Sequence, residues 1–107
     1  MRDELIDYTN KFNSILDTYD GLEWSNAEDI LPLMKDLTVV LSHLEYIRSQ
    51  YHKAWVAEAS TETSVAAGER KADAKYPEIY FLRRIMTAGY KMLDGMRTVI
   101  SYIKKEG

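Results

Sequence analysis

The stretch "LMKDLTVVLSHLEYIRSQYHKAWV" (residues 33–56) carries apolar side chains at steps of three and four residues. This spacing is close to a heptad repeat, which indicates a helix whose apolar face packs along an antiparallel neighbour. We therefore predict one long helix over about residues 26–60. The seam consists of Leu33, Leu37, Val40, Leu44, Ile47, Tyr51 and Trp55, and Leu41 and Val56 widen it.

The start of this long helix has two interpretations. Ser25 and Glu28 have the spacing of a capping box, which favours a start at Ser25. Pro32 would then lie inside the helix, where it removes a backbone donor. Either the helix begins near Asp29, with Pro32 in its first turn, or it is bent at Pro32.

A shorter helix is predicted upstream, over about residues 3–20. Its apolar stripe, again at steps of three and four, comprises Leu5, Tyr8, Phe12, Ile15 and Tyr19. Gly21 follows directly, in the position where a left-handed C-terminal cap favours glycine.

The segment "AEASTETSVAAGERKADAK" (residues 57–75) is rich in small and polar residues. It is either a turn followed by a new helix, or a continuous thin helix. We favour a turn at Thr61–Ser64, because hydroxylic residues stabilise turns and caps. The next helix is predicted over about 64–105, with a start or a kink at Pro77. Its apolar positions run from Leu82 to Ile103 at helical spacing.

These elements predict an all-α fold in a single helical domain, residues 1–107, made of an N-terminal helix plus a long antiparallel helical hairpin. No stretch shows the sustained alternation of a strand. Two long helices bury one face each, and one short helix does not cover their whole length. We therefore expect assembly into a helical-bundle homo-oligomer.

Composition excludes several classes of protein. With 46% apolar and 29% charged residues the chain is globular. The N-terminal stretch lacks the hydrophobic block of a signal peptide, and cysteine is absent. We expect a cytoplasmic protein that does not associate with membranes.

No constellation of residues points to catalysis, a cofactor or a metal. His43 and His52 are nine residues apart, which puts them on opposite faces of one helix. Neither has a glutamate three residues before it, as di-iron helical bundles require. Nucleophile-elbow, phosphate-loop and dinucleotide motifs are missing. We predict a protein that is not an enzyme.

Charge is distributed unevenly along the chain. Residues 1–61 contain five Lys or Arg against eleven Asp or Glu, a net charge of −6, whereas residues 62–107 contain nine against six, a net charge of +3. An acidic first part and a basic second part favour side-by-side packing of the two parts, within one chain or between chains.

Tyrosines and cations follow one stripe of the last predicted helix, and they are the candidate binding residues. Both types are enriched at protein interfaces, and together they also suit single-stranded nucleic acid. The stripe is equally compatible with a purely structural edge of the core. The candidates are Tyr76, Tyr80, Arg83, Arg84, Tyr90, Lys91 and Arg97.

The segment "SVAAGERKADAKYPEIYFLRRIMTAGYKMLDGMRTVISYIKKE" (residues 64–106) resembles small uncharacterised all-helical bacteriophage and prophage proteins. The resemblance implies a protein that binds a host or phage protein, or that accompanies replication and recombination. We expect a non-enzymatic, self-associating binding protein whose last helix docks on an unidentified protein partner. The alternative is a single-stranded nucleic-acid accessory protein of phage replication or recombination. A small-ligand or nucleotide binder at an oligomer seam is a weaker alternative.

Overall fold

A computed structural model describes residues 1–106, with side chains through Lys105. This part of the chain contains four helices and no strand, as the all-α prediction requires. The helices are α1 (Arg2–Asp20), α2 (Ala27–Ala59), α3 (Val65–Lys75) and α4 (Glu78–Glu106).

The long helix α2 begins at Ala27, before the alternative start near Asp29, and Pro32 lies inside it. Asn26 is the N-cap, with its side-chain Oδ1 accepting from the Glu28 backbone N–H at 3.0 Å. The predicted cap at Ser25 is wrong by one residue, because asparagine and serine are about equally good caps and the chain becomes helical only after Asn26. Of the two interpretations of the helix start, the one with Pro32 inside the helix is correct.

The predicted helix over 64–105 is two helices, broken at Tyr76 and Pro77. Ser64 caps α3, as its hydroxyl accepts from the Ala67 backbone N–H at 3.4 Å. Tyr76 leaves the helical region, with φ −127° and ψ 60°, because the ring of the following proline disfavours helical geometry there. Pro77 therefore starts a new helix and does not kink a continuous one.

The turn after α1 also differs from the prediction. Gly21 has φ −99° and ψ 8°, so it is not a left-handed cap. Its backbone N–H bonds to the Thr18 carbonyl, which closes the helix with a tighter last turn. A non-glycine residue can adopt this conformation without strain.

Three helices pack together along most of the molecule. Side chains of α1 reach α4 in a constant parallel register: Arg2 pairs with Glu78 at one end, and the Tyr19 hydroxyl lies beside Gly95 at the other. At Gly89, a Cβ would lie 2.7 Å from the Leu41 side chain, so glycine permits close approach of α4 to α2.

The hairpin extends beyond this three-helix part. There the last turns of α2 pack against α3, and the two helices form a two-helix tip. At the tip, a Cβ on Gly68 would overlap with the Ala59 backbone carbonyl, so the two backbones are in direct contact. The described residues span 61 × 25 × 18 Å.

The core follows the predicted seams. Every seam residue of α2 from Leu33 to Tyr51 is buried, and Trp55 is half-buried at the base of the tip. On the adjoining helices, apolar residues at helical spacing complete the core. These are Leu5, Phe12, Ile15, Ile79, Leu82, Met86, Met92, Leu93, Met96 and Ile100.

Candidate docking face on the last helix

The seven candidate residues occupy three different environments. Tyr76 is half-buried, between α3 and α4. Arg97 lies in the second half of α4 and is exposed. The remaining five are exposed along the first half of α4. The stripe is therefore not one uniform surface.

Tyr76 belongs to the core. Its ring meets the ring of Tyr51 edge-on, with the centroids 6.2 Å apart. Tyr51 is fully buried, and its hydroxyl has no hydrogen-bond partner among the described residues. Burial, with the nearby Glu78 carboxylate, raises the pKa of Tyr51 above its ordinary value. Tyr76 thus covers a buried phenol at the helix break and contributes to packing.

The Tyr80 hydroxyl is also committed inside the chain. Asp73 Oδ1 accepts hydrogen bonds from the Tyr80 hydroxyl at 2.9 Å and from the Trp55 indole N–H at 2.8 Å. One carboxylate of α3 thereby links α2 to α4. The hydrogen bond to this carboxylate raises the pKa of Tyr80. The Tyr80 ring itself is 48% exposed, and the Arg83 guanidinium lies over it, 5.9 Å from the centroid.

Three cations in the first half of α4 have no acidic partner among the described residues. Arg83, Arg84 and Lys91 are exposed and make no ion pair. They surround a shallow depression of 530 Å³ that is also lined by Tyr80, Thr87 and Ala88. Six other cations do have a carboxylate in the fold: Arg2, Lys11, Arg48, Lys71, Lys75 and Arg97.

The rest of the face alternates apolar and polar side chains. Tyr90 is 45% exposed and Phe81 is 46% exposed. Arg97 pairs with Asp94 one turn before it, at 3.4 Å on an exposed surface. We define the α4 face as the exposed half of the helix in this region, with Phe81 and Tyr90 at its two opposite edges. Its residues are Tyr80, Phe81, Arg83, Arg84, Ala88, Tyr90 and Lys91. It excludes Tyr76 and Arg97 from the candidate set.

Sequence reasoning missed two features. The first is Asp73, whose shared hydrogen bonds depend on a helix break that the sequence left open. The second is a groove between α1 and α2, lined by Ile15, Val40 and exposed Val39, with Asp36 on its rim. It continues past Pro32 to Asp29. In the sequence, the groove could have been recognised from Val39, an apolar residue at a position outside the predicted seam of α2.

The two histidines are not brought together. His43 stacks on Tyr8 with the ring centroids 4.4 Å apart, and His52 stacks on Trp55 at 6.4 Å. No group of three or more Asp, Glu or His side chains is arranged to hold a metal ion in the part of the chain that the structure describes. None of the four described helices has a stretch long and apolar enough to cross a lipid bilayer.

No protein-family model, curated protein or solved structure matches this chain. Its function therefore has to be inferred from the geometry of its own residues.

Proposed function

We propose that this chain is a non-enzymatic helical protein that docks the α4 face on an acidic surface of a protein partner. The observation that carries the proposal is the cluster of Arg83, Arg84 and Lys91, which make no ion pair in the described residues although the net charge of the chain is −3. The resemblance to phage and prophage proteins suggests a host or phage protein as the partner.

The chemistry of the face favours a protein over a small anion. Ala88 and the ring of Tyr80 supply apolar contact area among the cations, and Phe81 and Tyr90 add more at the two edges of the face. Tyrosine and arginine give large contact areas at low entropic cost, and they are enriched where binding energy is concentrated. The expected partner surface combines carboxylates with an apolar centre.

Single-stranded nucleic acid is the second candidate, favoured by the half-exposed rings of Tyr80 and Tyr90 beside cations. Aromatic rings stack on bases, and cations track the phosphates. The acidic residues of α1 and of the first part of α2 oppose this reading, because they repel a polyanion. Binding to phosphates would weaken by orders of magnitude between low and moderate salt.

The test compares two double variants that change net charge equally. R84E/K91E reverses the α4 face, and K53E/R70E reverses two exposed cations elsewhere that also lack an acidic partner in the described residues. Each is immobilised and used to capture proteins from source cells, with helicity checked by circular dichroism. We expect the wild type and K53E/R70E to retain one partner in common, and R84E/K91E to lose it.

Equal capture by both variants would contradict the proposal. A parallel titration with a single-stranded oligonucleotide, at low and moderate salt, separates the second candidate. Tight binding that R84E/K91E abolishes, with a steep salt dependence, would replace the protein partner by nucleic acid.

A further inference from the structure

The groove between α1 and α2 has a charge pattern that matches the α4 face. Along α2, the residues bordering the groove are Asp29, Pro32, Asp36 and Val39, at steps of three, four and three. All four are exposed. Neither Asp29 nor Asp36 makes an ion pair within the described residues. Acidic and apolar side chains thus alternate along one helical line.

The α4 face repeats the same steps with the opposite charge. Phe81, Arg84, Ala88 and Lys91 are also separated by three, four and three residues, and all four are exposed. Residues seven apart on a helix lie about 10.5 Å apart on nearly the same side. The two carboxylates of α2 and the two cations of α4 therefore have equal separations.

Resting on the docking role proposed for α4, we propose that the partner of the α4 face is the α1/α2 groove of a second copy of this chain. The two helices run antiparallel. Arg84 then meets Asp36, and Lys91 meets Asp29.

The antiparallel register is the one that also matches the apolar positions. It puts Phe81 against Val39 and Ala88 against Pro32. A parallel register would instead place Asp94 against Val39, which leaves a carboxylate beside an apolar side chain. Lys11, the one cation among the described residues that line the groove, is already paired with Asp7 at 3.3 Å.

The two surfaces lie on different sides of the molecule, so the contact is head-to-tail. Helix α4 packs on the side of α2 that carries Leu41, whereas the groove lies between α2 and α1. Each copy therefore offers a groove to one neighbour and a face to another, which builds rings or open chains. A stable contact of about 800 Å² per partner would cover only a modest part of the 7070 Å² surface.

The experiment uses single charge reversals in the full-length chain, followed by light scattering and sedimentation at rising concentration. We expect the wild type to grow with concentration, more at low salt than at high salt. R84E and D36K should each raise the dissociation constant at least about tenfold, since each places like charges in contact. K53E, outside both surfaces, should associate as the wild type does.

Mixing the variants tests the register. R84E keeps an intact groove and D36K retains its α4 cations, and the two reversed charges form a pair with each other. Equimolar R84E and D36K should therefore associate again as the wild type does, with the two variants alternating, because both contacts between unlike copies pair opposite charges. K91E mixed with D36K should instead stop at 1:1 dimers, because the α4 face of D36K fits the groove of K91E, whereas the reverse contact joins like charges at both positions.

Three outcomes would overturn this inference. A wild type that stays monomeric at high micromolar concentration removes the contact altogether. Association that R84E weakens and D36K leaves unchanged means that α4 docks on some other surface, so the docking role of α4 survives without the groove. If neither variant changes the association, the copies associate through another surface. The partner-capture experiment then tests the docking role of α4 separately.

Discussion

Asp73 links the helices α2, α3 and α4 through hydrogen bonds of its side chain. It accepts from Trp55 of α2 and from Tyr80 of α4 while it belongs to α3. Both donors reach the same oxygen atom, Oδ1. Because Tyr76 and Pro77 interrupt the helix, no continuous backbone ladder fixes the angle between α3 and α4. The shared carboxylate supplies that constraint.

Replacing Asp73 by alanine should lower the free energy of unfolding by about 1–2 kcal/mol, because two charge-assisted hydrogen bonds are lost at a half-buried position. Chemical denaturation of the variant measures this. The control is D94A, which removes an exposed carboxylate paired only within its own helix and should change stability little. Equal effects of the two variants would show that Asp73 does not hold the break.

Gly68 and Gly95 are both helical glycines, and the structure predicts opposite effects of alanine. At Gly68 the new Cβ overlaps with the Ala59 carbonyl, so α2 and α3 must separate. We expect a loss of about 1–3 kcal/mol. At Gly95 the nearest atom is the Tyr19 hydroxyl oxygen at 3.8 Å, an ordinary contact, and the higher helix propensity of alanine should add up to about 1 kcal/mol. Thermal melting of the two variants gives the comparison, and a destabilised G95A would contradict it.

At the scale of elements, the regular spacing of apolar residues predicted most of the fold. The seam from Leu33 to Tyr51 is so long that its period of three to four residues excludes a strand. All of its residues are buried in the structure. The ends of the helices were harder to predict, because Ser25 and Asn26 are both good caps and only the local backbone decides between them. Pro77 was compatible with a kink and with a start until the geometry of Tyr76 was known.

The candidate site was less predictable than the fold. Helical spacing placed Tyr80, Arg83, Tyr90 and Arg97 on one stripe, but it does not show which cations find carboxylates. Arg97 pairs with Asp94, whereas Arg83 has no acidic partner in the described residues. The α1/α2 groove depends on the packing of two helices, and a one-dimensional pattern contains no such information.

The tip formed by α2 and α3 is held by an ion-pair cluster around Glu58. Its carboxylate contacts Lys75 at 3.1 Å and Lys71 at 3.5 Å. The hydrogen bond from Lys75 lowers the pKa of Glu58 below its ordinary value of 4.5, and the same contact raises the pKa of Lys75 above 10.5. The folded state thus favours both charged forms.

The contribution of Glu58 to stability should follow from these directions. A lowered carboxylate pKa stabilises the fold above pH 4.5, and the gain is lost as the pH falls through the folded-state value. A raised lysine pKa retains its gain until the pH exceeds 10.5. Wild type should therefore melt above E58Q near neutral pH, and the difference should vanish in acid. E69Q, which removes an exposed carboxylate that makes no ion pair in the described residues, should show no such pH-dependent difference.

At the scale of the whole molecule, the fold is a rod whose two ends differ in the number of packed helices. The three-helix part buries a continuous core, whereas the tip beyond Tyr51 consists of two helices only. Charge is also divided: in the described residues, α1 and the start of α2 carry carboxylates without an ion pair, and the first half of α4 carries a cluster of three such cations. Neither surface has its charges neutralised by ion pairs within the described residues, so each can bind a surface of the opposite charge.

The rod shape gives the last prediction. The Cα radius of gyration is 17.7 Å, whereas a compact domain of this length has a value of about 13 Å. Small-angle scattering should be measured on the R84E variant, so that head-to-tail association does not enlarge the apparent size. We expect a radius near 18 Å and a maximum dimension slightly above 61 Å, since the α2–α3 tip projects from the three-helix part. A radius near 13 Å would mean that the tip folds back on the core. The proposed alignment of Asp36 with Arg84 of a neighbouring copy would then lose the continuous helix α2 on which it rests. A radius near 18 Å for R84E alongside a larger, concentration-dependent value for the wild type would support both the rod and its assembly.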